Sequence, residues 1–164
     1  MCTQAFGDED GEEEAELGAL TWLVGGEPEG HAINLPGASG AHIVCFGRER
    51  QPAARSGPDD RTLTVDTLLL KDPALGPKPN VSGLHAEISF AGSNLVFTAL
   101  GKSYSFINEQ PYHSASKIYP RDERLFDGDV LRIGGNLRGR PGGEYSKFVL
   151  RVDHPPLGER PAPV

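Results

Sequence analysis

Apolar residues along this chain fall in short runs, and nearly every run is closed by glycine or proline. Where the runs alternate with polar positions, the period is two, as expected of half-buried strands. Gly18–Val24 predicts a first strand that includes Trp22, and Gly25–Gly30 predicts a turn. His31–Leu35 alternates with Ala32 out of register, Pro36–Gly40 is a second turn, and Ala41–Gly47 is the next strand. Arg48–Asp60 has no periodicity and predicts a long loop. Thr62–Leu70 returns to strand composition, whereas Lys71–Asn80, with Pro73, Pro77 and Pro79, can be neither a helix nor a central strand.

The second half continues in the same way. Asn94–Leu100 and Tyr104–Asn108 predict strands, the latter broken by Pro111, and Tyr112–Arg124 reads as irregular. Asp127-Gly128 is a tight-turn signal, because glycine supplies positive φ without steric cost. Gly134–Gly143 is a loop, and Tyr145–Val152 predicts the last strand. No amphipathic helix of useful length and no internal repeat is visible. Many short strands separated by Gly/Pro turns predict an all-β fold, a two-sheet β-sandwich or barrel.

One stretch organises the rest. Asn80–Phe90 runs from a turn into a strand, with Ser82 in the turn and His85 opening the strand. Ala86, Ile88 and Phe90 alternate with Glu87 and Ser89. Such a stretch can aim a hydroxyl at a ligand while its apolar face anchors it to a core.

Composition narrows the class. The chain has 164 residues, enough for one domain with tails. Seven acids and no Lys or Arg lie in residues 1–17, which predicts a disordered acidic N-terminal segment. The remaining 147 residues carry 16 acids and 16 bases, so the net charge of −7 belongs to that segment. A neutral domain does not support a general nucleic-acid surface, and no direct nucleic-acid partner is expected. Arg48, Arg50, Arg55 and Arg61 nevertheless gather in one loop region, where an anion could be drawn. No apolar run is long enough to span a membrane, and no membrane partner is expected. An acidic N-terminus without a signal peptide, and two cysteines, Cys2 and Cys45, fit a reducing compartment. The five histidines are not in metal-ligand spacing, and Ser82 lacks the glycines of a nucleophile elbow. Asp127 and Asp129 lack an EF-hand continuation. No enzyme activity, metal or cofactor is expected. His154 onward is Pro-rich and predicts a linker or tail, leaving residues 18–153 as the domain.

Four motifs, each weak alone, occur in one order: Gly47-Arg48 after a strand, Ser82-Gly83-Leu84-His85 at a turn into a strand, Ser103-Tyr104-Ser105-Phe106-Ile107-Asn108, and Asp127-Gly128-Asp129 before Ile133-Gly134. This order resembles the forkhead-associated (FHA) domain, a β-sandwich that binds phosphothreonine peptides. Trp22, the Gly-Gly-Glu-Pro turn and Lys102–Glu109 resemble the nibrin-like DNA-repair subgroup. The resemblance implies a phosphothreonine-peptide-binding interaction module in a signalling, DNA-damage or cell-division protein, nuclear in preference to cytoplasmic. Arg48 and Ser82 would contact phosphate, with Gly83, Lys102, Ser103 and Tyr104 completing the peptide site, and Gly47 and His85 would support it structurally. A guanidinium and a hydroxyl suit a group with nearly two negative charges.

The sequence also departs from the pattern. Gly83 stands where many members carry Arg or Lys. Ser103 and Tyr104 stand where the family has a peptide-holding Asn and a Gly. Losing one contact of about 1–3 kcal/mol weakens binding roughly tenfold to a hundredfold. Arg50, Arg55, Lys78 or Lys102 could substitute. The alternative reading is a degenerate FHA domain used for phosphate-independent docking or dimerisation.

Overall fold

In the computed structural model, residues 18–36, 42–57, 60–70, 81–91, 94–133 and 148–161 are described. Twelve strands among them form two six-stranded sheets. In chain order they are β1 Ala19–Val24, β2 Glu27–Asn34, β3 His42–Gly47, β4 Ala54–Ser56, β5 Thr62–Leu69 and β6 Ala86–Ala91. They continue with β7 Asn94–Ala99, β8 Ser105–Ile107, β9 Gln110–Tyr112, β10 Asp122–Arg124, β11 Val130–Ile133 and β12 Phe148–Asp153. One sheet has the order β2-β1-β12-β11-β8-β9, the other β10-β7-β6-β3-β5-β4. The expected β-sandwich is thus the observed architecture.

Alternation explains which side of each strand is buried. Leu20, Ile107, Leu131, Ile133, Leu150 and Val152 of the first sheet meet Val44, Phe46, Ile88, Leu95 and Phe97 of the second. The Phe46 and Phe97 rings lie 6.4 Å apart at the centre of this layer. Truncating either to Ala would cost about 3–5 kcal/mol. On the outer side of the second sheet, Ile43, Cys45 and Val65 form a smaller cluster with Leu63 and Leu84.

Several local expectations differ from the structure. The first turn is only Gly25-Gly26, both at positive φ, and Glu27–Gly30 already belongs to β2. Those four residues are exposed and carry no apolar signal; pairing with β1, interrupted by two register shifts, makes them a strand. The loop after Arg48 contains the edge strand β4, and the segment read as irregular contains β10. Pro111 lies inside β9 rather than breaking a strand, because β9 is a sheet edge and its missing N–H is not needed there. The Asp127-Gly128 turn is present, closed by the Asp129 N–H on the Phe126 carbonyl at 3.2 Å. It carries the chain from one sheet to the other and does not join neighbouring strands. Residues 154–161, expected as a linker, lie against the domain: the His154 N–H donates to Asp127 at 2.7 Å, and Leu157 packs on the core. The expectations for residues 1–17, Lys71–Asn80 and Gly134–Gly143 fall outside the described residues.

Register places the loops that matter. Phe46 pairs with Ala86, and Ala86 with Ala99. The end of β3, the start of β6 and the end of β7 are therefore adjacent at one end of the sandwich. The Asp127-Gly128 turn and residues 154–161 are at the other end, where the Leu125 N–H reaches the Leu95 carbonyl at the start of β7.

Candidate functional site

The segment Val81–His85 is held from both sides. On the β3 side, the Arg48 N–H donates to the Ser82 carbonyl and the Glu49 N–H to the Gly83 carbonyl, each at 3.1 Å. On the β7 side, the His85 carbonyl accepts the N–H groups of Leu100 and Gly101 at 3.0 and 3.1 Å. Gly47 is required for the first approach: a Cβ there would fall 2.0 Å from the Gly83 carbonyl oxygen. Gly101 is required for the second, since its Cβ would fall 2.2 Å from Ser82 Oγ.

Ser82 is the junction of three loops. Its Oγ accepts the N–H of Lys102 at 3.1 Å and that of Ser103 at 3.4 Å. With both lone pairs engaged, the hydroxyl hydrogen points away from those amides. No acceptor for it is found among the described residues. Arg48 is exposed, and its Nε donates to the Val81 carbonyl at 2.5 Å, which leaves its two terminal amino groups for another partner. A cation and a hydroxyl hydrogen without an acceptor among the described residues therefore stand on one rim, an arrangement that can accommodate an oxyanion.

His85 is fully buried beneath this rim. Its Nδ1 accepts the Ser82 N–H at 3.0 Å, so the proton sits on Nε2 and is donated to the Tyr104 carbonyl at 3.2 Å. Burial pushes its pKa down to about 4 and keeps the ring neutral. One imidazole thus bridges the Ser82 and Tyr104 loops.

Each sequence-predicted residue, Gly47, Arg48, Ser82, Gly83, His85, Lys102, Ser103 and Tyr104, lies in these converging loops. Of the substitutes considered for the missing cation, Arg55 is engaged elsewhere, with Glu87 at 3.0 Å on the outer sheet face. Lys78 is outside the described residues. Asn108 is not part of the site: its amide donates to Asp129 at 2.8 Å and accepts the Val130 N–H at 3.0 Å. Sequence reasoning missed Glu49, Gly101, His113 and Tyr119. The His113 ring packs against Tyr104 in a tilted arrangement, centroids 4.6 Å apart, and donates Nε2–H to the Lys102 carbonyl at 2.8 Å. Tyr119 meets Tyr104 edge-on at 6.1 Å. His113 and Tyr119 come from a stretch without periodicity, so only the tertiary contact reveals them.

The fold is similar to that of the N-terminal FHA domain of S. cerevisiae Rad53p, solved with a phosphothreonine peptide. The identity is 16%, the match covers 84% of this chain and 93% of that one, and the TM-score is 0.50.

This chain has the FHA fold.

It is also similar to the yeast Dun1 FHA domain, with 15% identity, 89% and 79% coverage and a TM-score of 0.44. Another similar structure is the FhaA FHA domain, with 18% identity, 82% and 98% coverage and a TM-score of 0.44. No protein-family model and no curated protein matches the chain. In this FHA sandwich the converging loops lie at the β3/β6/β7 end.

Proposed function

We propose that this chain is a phosphothreonine-peptide-binding interaction module. The observation that carries the reading is the state of Ser82. Its oxygen is saturated by the Lys102 and Ser103 amides, its hydrogen has no acceptor among the described residues, and its carbonyl is tied to the backbone of Arg48. Arg48 would pair with the phosphate, Ser82 would donate to it, and Lys102, exposed beside them, would add a second cation. Gly83, Ser103 and Tyr104 would border the peptide, while Gly47 and His85 would hold the loops in place. With Gly83 lacking a side chain, the site would bind phosphate more weakly than one carrying a cation there. The FHA fold and the phosphothreonine peptide bound by Rad53p support the ligand class.

The cellular context, a signalling, DNA-damage or cell-division protein in the nucleus, rests on the sequence resemblance. A second reading, phosphate-independent docking, is favoured by the Glu49 carboxylate over Gly83, where a Cβ would fall 2.6 Å from its Oε2.

A phosphothreonine peptide library tested against its unphosphorylated twin decides between the two. The expected result is a phosphate preference that Arg48→Ala and Ser82→Ala each reduce roughly tenfold or more. No preference in the wild type, or unchanged binding by both variants, would sink the phosphate reading in favour of docking.

A further inference from the structure

The same loop that presents Arg48 also presents an acid. Glu49 is exposed, and its N–H bond to the Gly83 carbonyl fixes its backbone at the rim. Its side chain lies over Gly83: a Cβ built there would be 2.6 Å from Oε2 and 2.9 Å from Cδ. The carboxylate has no ion-pair partner among the described residues. Of the arginines in this loop region, Arg55 is paired with Glu87, while the adjacent Arg48, held through Nε to the Val81 carbonyl, and Arg50 form no ion pair with it among the described residues. A carboxylate without an ion-pair partner among the described residues thus borders the proposed phosphate cradle. It repels a bare dianion and attracts a cation carried next to one.

We infer that Glu49 is a specificity-determining residue that selects phosphothreonine peptides carrying Lys or Arg beside the phosphorylated residue. This rests on the phosphopeptide reading above. Arg48 and Ser82 take the phosphate, and Glu49 takes the neighbouring ammonium or guanidinium. Acidic neighbours are rejected because their charge adds to that of Glu49. An exposed pair of this kind shifts affinity by roughly twofold to fivefold. The effect shrinks with added salt.

Three synthetic peptides test this, each with one phosphothreonine flanked on both sides by Lys, by Ala or by Glu. A fourth is the unphosphorylated Lys peptide. Fluorescence anisotropy compares wild type with Glu49→Gln at low and high salt, and a thermal melt confirms that the variant folds. The wild type should rank Lys over Ala over Glu, with steps of roughly twofold to fivefold. Glu49→Gln should flatten the ranking while keeping the dependence on phosphate. An unchanged ranking in Glu49→Gln, or equal tightening of all three phosphopeptides, overturns the inference and leaves the phosphopeptide reading standing. If the Lys peptide binds equally well without its phosphate, or no phosphopeptide binds, the phosphopeptide reading itself falls and this inference falls with it.

Discussion

The Ser82 N–H donates to Nδ1 of His85, 3.0 Å away, so His85 holds the Ser82 loop only as a neutral imidazole. A protonated ring would set a second N–H against the Ser82 N–H. The site is therefore built on a base that must not ionise.

Stability should consequently fall with acid. Native His85 takes up a proton near pH 4, against an ordinary value of 6.5. Between these limits the unfolded chain binds more protons, so the stabilisation is full above the upper limit and is lost as pH falls toward the lower one. His154, also pushed down by burial, acts in the same direction. Urea unfolding at about pH 7 and about pH 5 should differ by roughly 2 kcal/mol. A flat profile would mean that His85 does not hold the loop as described.

Gly47→Ala tests the close approach of β3 to the Ser82 loop. The added methyl meets the Gly83 backbone carbonyl at 2.0 Å, and no flexible side chain can give way. A loss of about 2–4 kcal/mol in denaturant unfolding is expected. Gly101→Ala presses instead on the Ser82 side chain, so it should weaken phosphopeptide binding more than it lowers the melting temperature.

Gly83→Arg should strengthen phosphopeptide binding. No positive φ is required at Gly83, and the atoms its Cβ meets belong to the flexible end of the Glu49 side chain. Glu49 can swing aside and pair with the new guanidinium, which adds a charge-assisted donor to the rim. Titration calorimetry should show roughly tenfold tighter binding of a phosphothreonine peptide, and no gain for its unphosphorylated twin.

Arg160→Ala tests whether the last described residues belong to the domain. The Arg160 guanidinium donates to both carboxylate oxygens of Asp129, at 3.0 and 2.8 Å, and Asp129 is only 2% exposed. The same side chain covers Phe126, 4.8 Å from its ring centroid. Removing it leaves a buried carboxylate held by Asn108 and the Phe126 N–H alone. A loss of about 2–4 kcal/mol is expected in chemical unfolding, and a chain truncated after Asp153 should lose at least as much.

Much of the fold was legible because strand alternation is a local property. Leu95, Phe97 and Ala99, or Phe148, Leu150 and Val152, declare their buried face in any sandwich. Glycine and proline marked most of the boundaries. The edges were less legible: β2, β4, β9 and β10 are strands because a neighbour pairs with them, and their own residues carry little apolar pattern.

For the site, the sequence by itself determined the chemistry available, a guanidinium at Arg48, a hydroxyl at Ser82, an imidazole at His85 and no side chain at Gly83. Tertiary structure alone decided what each group faces. Pairing of β3, β6 and β7 brings together loops distant in the chain, which saturates the Ser82 oxygen, fixes the His85 tautomer and lays the Glu49 carboxylate over Gly83. Apart from the Ser82 N–H on His85 Nδ1, which spans three positions, these are contacts between residues some twenty or more positions apart, and no local pattern encodes them.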